Sequence, residues 1–394
     1  MQWSHITTLA AFGLMLAVVA KLVCAQVPGP LSGEVKTLAE PQMAGPLVAN
    51  PQPASLDAGP LGPIYVTGAL SGLGLMQTHP APGDRSEHLD VANAQVMIQK
   101  TEGLAQFYAQ AGIYSIPVVG LPYVRAARNT SDLYGPLPIA YVKLAPDDRF
   151  SIRAGKLPTL IGPEPTFTFQ NMNIQRGLLW NQEPAVSRGV QADYAAGPLN
   201  LSVSLNDGFY SGRYDWLVGA ATWTIDSGRS LSVLASGNTG TTRVNSVATP
   251  IAMNNGQIYN LVYTQAAGPW STTCYLQAVN VPASADLGFR SSAQSYGAAM
   301  LVSYRSTSTF SLAGRVEIVR STGSAANGAP DLLYGPGSAA WSLTLTPTYQ
   351  KGGFLLRAEP SFTHAGRIAP GRGFGNGGNS TGQARFLVET GILF

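Results

Sequence analysis

Charged side chains are scarce in this chain of 394 residues. Asp, Glu, Lys and Arg together make up 11% of it, against about a quarter of a typical soluble domain. The formal net charge is +3 and no run of five or more basic residues occurs. The sequence therefore gives no electrostatic reason to expect a nucleic-acid partner.

Long hydrophobic runs and paired cysteines are missing as well. Outside the first 25 residues no apolar run reaches the roughly 18 residues that a membrane-spanning helix needs, and the mean hydropathy is +0.08. Removal of the first 25 residues would take away Cys24 and leave Cys274 alone, so an internal disulfide could not form. Stability must then come from backbone pairing and packing.

The first 25 residues are predicted to be a cleaved secretory signal peptide. Residues 9–20 are apolar, and Val23-Cys24-Ala25 places small or medium side chains before Gln26, as a cleavage site requires. The alternative is a membrane anchor. The run is too short to cross about 30 Å of hydrocarbon as a helix, and Lys21 interrupts it.

Residues 26–61 are predicted to form a flexible periplasmic lead. The segment contains seven prolines and no aromatic residue, so it cannot bury a core of its own. The folded domain is therefore expected to occupy residues 62–394.

From residue 62 onward, apolar and polar side chains alternate in short segments, which is typical of β-strands with two unlike faces. Within 198–206, one face carries Leu199, Leu201, Val203 and Leu205, and the other carries Asn200, Ser202, Ser204 and Asn206. About sixteen such segments are predicted, near 62–76, 91–101, 104–115, 137–145, 149–156, 187–196, 198–206, 214–226, 229–238, 257–267, 269–280, 293–305, 308–319, 338–350, 353–364 and 383–394.

The connections between these segments alternate between short and long. The short ones lie at 103, 145–148, 197, 227–228, 268, 306–307 and 351–352, and the others are mostly much longer and rich in Gly, Pro, Asn and Ser. Outer-membrane β-barrels have short periplasmic turns and long extracellular loops, whereas a soluble β-sandwich has no reason to alternate its loops. The fold class predicted is an all-β, transmembrane antiparallel barrel of about sixteen strands.

The C-terminal strand supports the same interpretation. The chain ends on Phe394 with no polar tail, and aromatic residues on the same apolar face sit beside the other short turns. If those turns are periplasmic, the residues form an aromatic girdle at one membrane interface. Its predicted members are Phe107, Phe150, Tyr194, Trp223, Trp270, Tyr304, Phe310, Tyr349, Phe354 and Phe394.

One region of the sequence resembles a known family. The residues concerned are Ala154-Gly155-Lys156-Leu157-Pro158-Thr159, Gly162, Asn173, Arg176, Glu183-Pro184 and Gly189-Val190. With the signal peptide and the terminal Phe, they resemble the second family of β-barrel porins of Gram-negative outer membranes. The resemblance implies an outer-membrane barrel with channel activity, and it implies no catalytic residue, no cofactor and no particular substrate.

Sixteen strands enclose a water-filled channel, so the polar face of each strand is expected to line a pore. Both charge signs occur on that face, which predicts at most a weak charge preference, because strong selection needs rings of one sign. Opposite charges close together could equally be salt bridges of the wall. The predicted lining residues are Lys143, Arg149, Arg153, Asp193, Arg315, Glu317, Arg357, Glu359, Arg385 and Glu389.

The connection 157–186 is far longer than usual and is predicted to be functional. It carries Phe167, Phe169 and Trp180, which need somewhere to be buried. We expect it to fold into the lumen and narrow the pore; the alternative is that it packs over the outer rim. Its charged candidates for the constriction are Glu164, Arg176 and Glu183.

The function predicted is passive diffusion of small hydrophilic solutes across the outer membrane. Expected partners are membrane lipids, the barrel-assembly machinery through the C-terminal strand, and the solutes themselves, with a homo-oligomer possible and no metal or cofactor. Two alternatives are a receptor or adhesin that acts through its loops and an outer-membrane hydrolase. The hydrolase is disfavoured because Ser361 and Thr363 lie on the opposite strand face from His364, which leaves no nucleophile for that imidazole to activate.

Overall fold

The computed structural model describes residues 38–49 and 53–394. The predicted signal peptide, residues 1–25, lies outside this part of the chain. So do residues 26–37 and 50–52 of the predicted lead.

The described residues form seventeen strands, of which sixteen close into an antiparallel barrel, as predicted. Each strand from β2 to β17 pairs with its neighbours in the chain, and β17 pairs with β2 to close the ring; β1 is a short strand added to the start of β2. The bounds are β1 Ala54–Asp57, β2 Pro63–Gln77, β3 Glu87–Lys100, β4 Ala105–Tyr114, β5 Ile139–Leu144, β6 Phe150–Pro158, β7 Val186–Ala196, β8 Leu199–Asn206, β9 Trp216–Asp226, β10 Arg229–Asn238, β11 Gln257–Ala267, β12 Trp270–Val281, β13 Ala293–Arg305, β14 Phe310–Ser321, β15 Ala339–Lys351, β16 Phe354–Gly366 and β17 Gly382–Leu393.

Helices are few and short in the described residues. They are Gly59–Leu61, Ala126–Arg128, Asn129–Leu133, Thr168–Gln170, Leu179–Gln182, Ile251–Asn254 and Ala285–Leu287. No helix in this part of the chain has the length and apolar character needed to cross a membrane.

Burial alternates along the strands as the sequence pattern predicts. In β15, the inward side chains include Ser342, Thr344 and Thr346, all nearly fully buried, whereas Trp341 and Leu343 point outward and are exposed. Polar side chains therefore face the interior and apolar ones face the surroundings, which is the arrangement of a barrel in lipid.

The connections have the predicted asymmetry. Seven links of two to five residues join β3 to β4, β5 to β6 and so on around one end of the barrel. At the other end, eight connections range from nine residues, at 78–86, to twenty-seven, at 159–185. We refer to these as the short-turn end and the long-loop end.

Aromatic side chains surround the barrel near the short-turn end. Trp270 and Tyr304 are paired across β12 and β13 with ring centroids 4.5 Å apart, and Phe310 is paired with Tyr349. Seven of the ten predicted girdle residues are exposed, and the three half-buried ones are Phe107, Phe150 and Phe394.

A second group of exposed aromatic residues, not predicted from the sequence, lies near the long-loop end. Its members are Tyr259, Tyr296, Trp341, Phe362 and Phe386. Exposed apolar side chains such as Leu343 and Leu345 lie between the two groups, and aromatic rings favour both interfaces of a membrane.

The last residue closes the barrel against β2. The backbone of Phe394 exchanges two hydrogen bonds with Gly68, in which Gly68 N–H donates at 2.6 Å and Phe394 N–H donates at 3.0 Å. The ring of Phe394 lies over Gly68 so closely that a Cβ there would be 2.2 Å from the ring. Glycine is therefore required by close approach of the terminal side chain.

Residues 38–49 differ from the expectation of an unstructured lead, because they lie packed across the short-turn end of the barrel. Leu47 is 2% exposed, and the Glu40 carbonyl accepts a hydrogen bond from Gln99 Nε2 at 2.7 Å. Its composition rules out a core of its own, but the segment packs against apolar side chains of the barrel instead.

We predict that Gly68→Ala lowers the free energy of unfolding by about 1–3 kcal/mol, because the added methyl group overpacks the Phe394 ring. The measurement is the temperature at which the folded protein converts to its unfolded mobility in a denaturing gel. Gly74→Ala, in the same strand, is the control, since a Cβ at Gly74 meets nothing within 4 Å. An equal loss in both variants would contradict the closure by Phe394.

Candidate functional site

The twenty-seven-residue connection 159–185, here called the inner loop, lies inside the barrel. Every residue from 166 to 180 is buried, although only Thr168–Gln170 and Leu179–Gln182 are helical. Buried backbone outside regular structure still needs hydrogen-bond partners for its N–H and C=O groups. The inner face of the barrel supplies them.

Carboxylates of the wall accept hydrogen bonds from N–H groups of the inner loop. Glu359 on β16 accepts from the backbone N–H of Ile174 and of Gln175, the latter at 2.9 Å. Glu317 on β14 accepts from the backbone N–H of Leu178 at 3.0 Å and of Leu179 at 3.3 Å. Hydrogen bonds to ionised acceptors are among the stronger ones in proteins, so these two side chains fix the middle of the loop.

Arginines of the wall donate to the carbonyl groups of the same loop. Arg357 on β16 reaches the carbonyl oxygens of Thr168, Asn171 and Met172, each at 3.0 Å. Arg315 on β14 donates to the Gln175 carbonyl at 2.8 Å. The guanidinium group carries five N–H donors in a fixed fork, which suits it to collecting several carbonyls at once.

These charges also pair with one another, out of contact with water. Arg315 lies 3.1 Å from Glu317 and 2.5 Å from Glu164 of the loop, and Arg357 lies 3.3 Å from Glu389. All of these side chains are at most 5% exposed. Burial of an ion pair is costly unless further hydrogen bonds complete it, and the backbone of the inner loop provides them.

A second connection joins the inner loop inside the barrel. The backbone of Arg176 bonds with the segment that follows β4: its N–H donates to the Pro117 carbonyl and its carbonyl accepts from Val119 N–H, both at 2.9 Å. The Arg176 side chain is fully buried and donates to the Thr166 carbonyl at 2.7 Å. Arg385 on β17 donates to the Val118 carbonyl at 2.7 Å. No sequence pattern predicts that this second segment lies inside the barrel.

Aromatic side chains fix the remaining part of the inner loop. Phe167 and Phe169 are each 1% exposed and Trp180 is 7% exposed. The Phe167 ring meets Tyr114 of β4 edge to face, with centroids 5.2 Å apart. The three side chains that needed burial therefore lie within the lumen in this structure.

Glu183 is a buried carboxylate of the inner loop without an ion-pair partner in the described structure. Its Oε1 accepts from the Tyr275 hydroxyl and from Gln277 Nε2 at 2.8 Å, and its Oε2 has no hydrogen-bond partner. Burial raises the pKa of this carboxyl well above its usual range, although the Tyr275 hydrogen bond opposes the rise.

Strands β5 to β11 form the arc of the inner wall that lies across the lumen from β14–β17. Near the short-turn end, their inward side chains are half-buried and not fully covered. Arg153 on β6 and Asp193 on β7 form an ion pair there at 3.1 Å, at 18% and 24% exposure. The arc begins with Lys143 on β5, and neutral hydroxyl groups continue it on Ser202, Thr222, Ser232 and Thr264. Water can reach this polar arc beside the inner loop.

The predicted lining residues thus lie in three places. Lys143, Arg153 and Asp193 lie on the polar arc, and Arg149 is exposed in the short turn before β6. The other six lie on the inner face but are buried beneath the loops: Arg315, Glu317, Arg357, Glu359, Arg385 and Glu389. Alternation assigns a side chain to a face, but it does not tell what covers that face.

Comparison with known proteins agrees with this architecture. The family model described as "Putative beta-barrel porin-2, OmpL-like" matches residues 63–394. No curated protein matches the chain.

Several solved structures share the fold at low sequence identity. The anion-selective porin from Comamonas acidovorans aligns with a TM-score of 0.58 and 10% identity over 84% of this chain and 99% of that one. OmpT of Vibrio cholerae gives 0.56 and 9% over 86% and 100%. The outer membrane channel DcaP of Acinetobacter baumannii gives 0.53 and 14% over 84% and 97%.

We predict opposite outcomes for two isosteric changes. Glu317→Gln removes a carboxylate that Arg315 and two loop N–H groups use, and should cost on the order of 3 kcal/mol. Glu183→Gln replaces a buried carboxyl that no cation offsets and whose ionised form is already disfavoured, and should change stability by less than about 1 kcal/mol. Thermal unfolding and protease access to the inner loop measure both. Equal losses would show that the wall does not hold the loop through its charges.

Proposed function

The chain belongs to the Putative beta-barrel porin-2, OmpL-like family and is an outer-membrane porin, a channel for small solutes in a Gram-negative bacterium, and we propose that these solutes cross along the polar arc of β5–β11. The observation that carries the proposal is the unequal covering of the inner wall. The face from β14 to β17 is buried under the inner loop, whereas the polar arc keeps half-exposed hydroxyl and charged side chains.

In this proposal the inner loop is the constriction of the channel. Its charged candidates Glu164, Arg176 and Glu183 are each at most 5% exposed, so they act by holding the loop in place rather than by contact with solute. The volume of the loop narrows the passage. The wall supplies hydrogen-bond partners for the polar backbone of the loop.

The charge preference of the proposed path is weak. Lys143 and Arg153 are positive and Asp193 is negative, and the arginines beneath the inner loop are paired or hydrogen-bonded. A channel with strong selectivity needs rings of one sign. The anion-selective porin from Comamonas acidovorans shares only 10% identity, so its preference gives no argument for this chain.

We propose that the protein has no hydrolytic activity. His364 stands on the outer face of β16 with its ring 6.0 Å from that of Trp341. Ser361 points inward, is buried, and accepts a hydrogen bond from Gln175 Nε2 at 3.0 Å. The opposite orientations leave the imidazole without a nucleophile to activate.

Liposome swelling tests the function. Vesicles containing the protein should swell in small neutral sugars and amino acids, and a variant with 160–180 replaced by a short Gly-Ser linker should admit larger sugars and show a higher single-channel conductance. Unchanged conductance would refute the constriction. If no solute enters either protein, the porin proposal fails and a receptor or adhesin acting through its loops becomes the better interpretation.

We further propose that the C-terminal strand is read by the barrel-assembly machinery. Deletion of Phe394 should reduce the amount of protein in the outer membrane more than it reduces conductance per channel, because the terminal aromatic residue both closes the barrel and presents the exposed end of the strand. Surface labelling and single-channel recording measure the two effects, and normal surface levels would contradict the proposal. Assembly into a homo-oligomer stays a prediction.

A further inference from the structure

We propose that residues 38–49, here called the strap, cross the periplasmic mouth of the channel and set its conductance and, through Glu40, its charge preference. This inference rests on the proposed function as a solute channel. The periplasmic mouth is the short-turn end of the barrel.

One end of the strap is held by strands β3, β5 and β6. Gln99 Nε2 donates to the Glu40 carbonyl at 2.7 Å, and the Tyr141 hydroxyl donates to the Glu40 carboxylate at 3.1 Å. Arg153 lies 3.9 Å from the same carboxylate. Glu40 is therefore fixed at the wall beside the polar arc.

The middle of the strap lies on the inner loop. Ala44 N–H donates to the Gln170 carbonyl at 2.7 Å, and Gln170 Nε2 donates to the Gln42 carbonyl at 2.9 Å. Gly45 approaches so closely that a Cβ there would lie 2.3 Å from the Asn171 backbone. The two segments are thus joined by backbone contacts that tolerate no side chain at Gly45.

The far end of the strap is held by β15. Val48 N–H donates to Gln350 Oε1 at 2.9 Å, and Gln350 Nε2 donates to the Val48 carbonyl at 2.8 Å. In the ring of sixteen strands, β15 and β6 are seven places apart by the shorter way round. The strap is consequently a chord that crosses nearly the full width of the mouth.

A small cavity lies between the strap and the inner loop. It has a volume of about 80 Å³ and is lined by Glu40 and Gln42 of the strap, by Glu164 and Gln170 of the loop, and by Tyr108 of β4 among others. That volume admits a few water molecules but no larger solute. The strap therefore closes this part of the lumen from the periplasmic side.

The strap also balances the charge of the path. Lys143 and Arg153 together carry two positive charges, and Asp193 on the wall offsets one of them. Glu40 supplies the second negative charge beside Arg153. Without it the short-turn half of the polar arc would carry a net positive charge and favour anions.

Gly45→Ala tests the strap with the smallest possible change. The methyl group cannot fit against Asn171, so the strap should leave the inner loop, and single-channel conductance should rise about twofold or more as the mouth widens. Gly74→Ala, where a Cβ meets nothing within 4 Å, is the control. Hydrogen exchange at residues 38–49 reports whether the strap has been released.

Glu40→Gln tests the charge role while leaving the side-chain volume intact. In a salt gradient the reversal potential should shift toward anions, with the anion-to-cation permeability ratio rising about twofold or more. Asp148→Asn, an exposed carboxylate in the short turn before β6, is the control and should not shift it. An equal shift in both variants, or none in either, would overturn the role of Glu40.

The remaining outcomes separate the strap from the channel. A released strap with wild-type conductance would overturn the strap proposal while leaving the porin function intact. A lower unfolding temperature with unchanged conductance would show that the strap only stabilises the barrel, which also overturns it. If neither the wild type nor Gly45→Ala conducts, the porin function itself fails.

Discussion

The interior of the barrel depends on one constraint. Buried backbone outside helices and strands needs hydrogen-bond partners for its N–H and C=O groups. The inner loop has little helix and no strand, and the wall provides both a donor and an acceptor for it: Arg357 and Glu359 on β16, Arg315 and Glu317 on β14. The mixed charges of the wall are thus explained by the chemistry of a peptide chain, which presents both N–H and C=O groups. A loop held in this way has a defined position, which a constriction requires.

The fold could be predicted from the sequence because strand alternation and turn asymmetry are local patterns. The alternation of β15, for example, is readable from residues 340–350 alone. The site could be predicted only in part. The parity of Arg357 and Glu359 placed them on the inner face correctly, but their covering by residues 166–180 depends on contacts between positions nearly two hundred residues apart, and no local pattern records such contacts.

The position of the strap could not be predicted for the same reason, because it too depends on contacts with distant parts of the chain. Residues 26–61, of which the strap is a part, contain seven prolines and no aromatic side chain, and such a segment cannot form a core by itself. In the barrel, however, the preformed surface of β3, β15 and the inner loop supplies hydrogen-bond partners and an apolar site for Leu47. Composition predicts how a segment behaves alone. The strap is ordered because it makes hydrogen bonds with the barrel and the inner loop.

The separation of the two aromatic groups predicts the thickness of the bilayer that would match this barrel. On β15, Trp341 and Tyr349 are eight residues apart, which is about 27 Å along a strand. A tilt of about 40° reduces this to roughly 21 Å across the membrane. The outer membrane is thinner than average, and a thicker bilayer would have to thin around the barrel, at a cost of fractions of a kcal/mol per Å. Hydrophobic matching should therefore favour the residence of this protein in a thin bilayer.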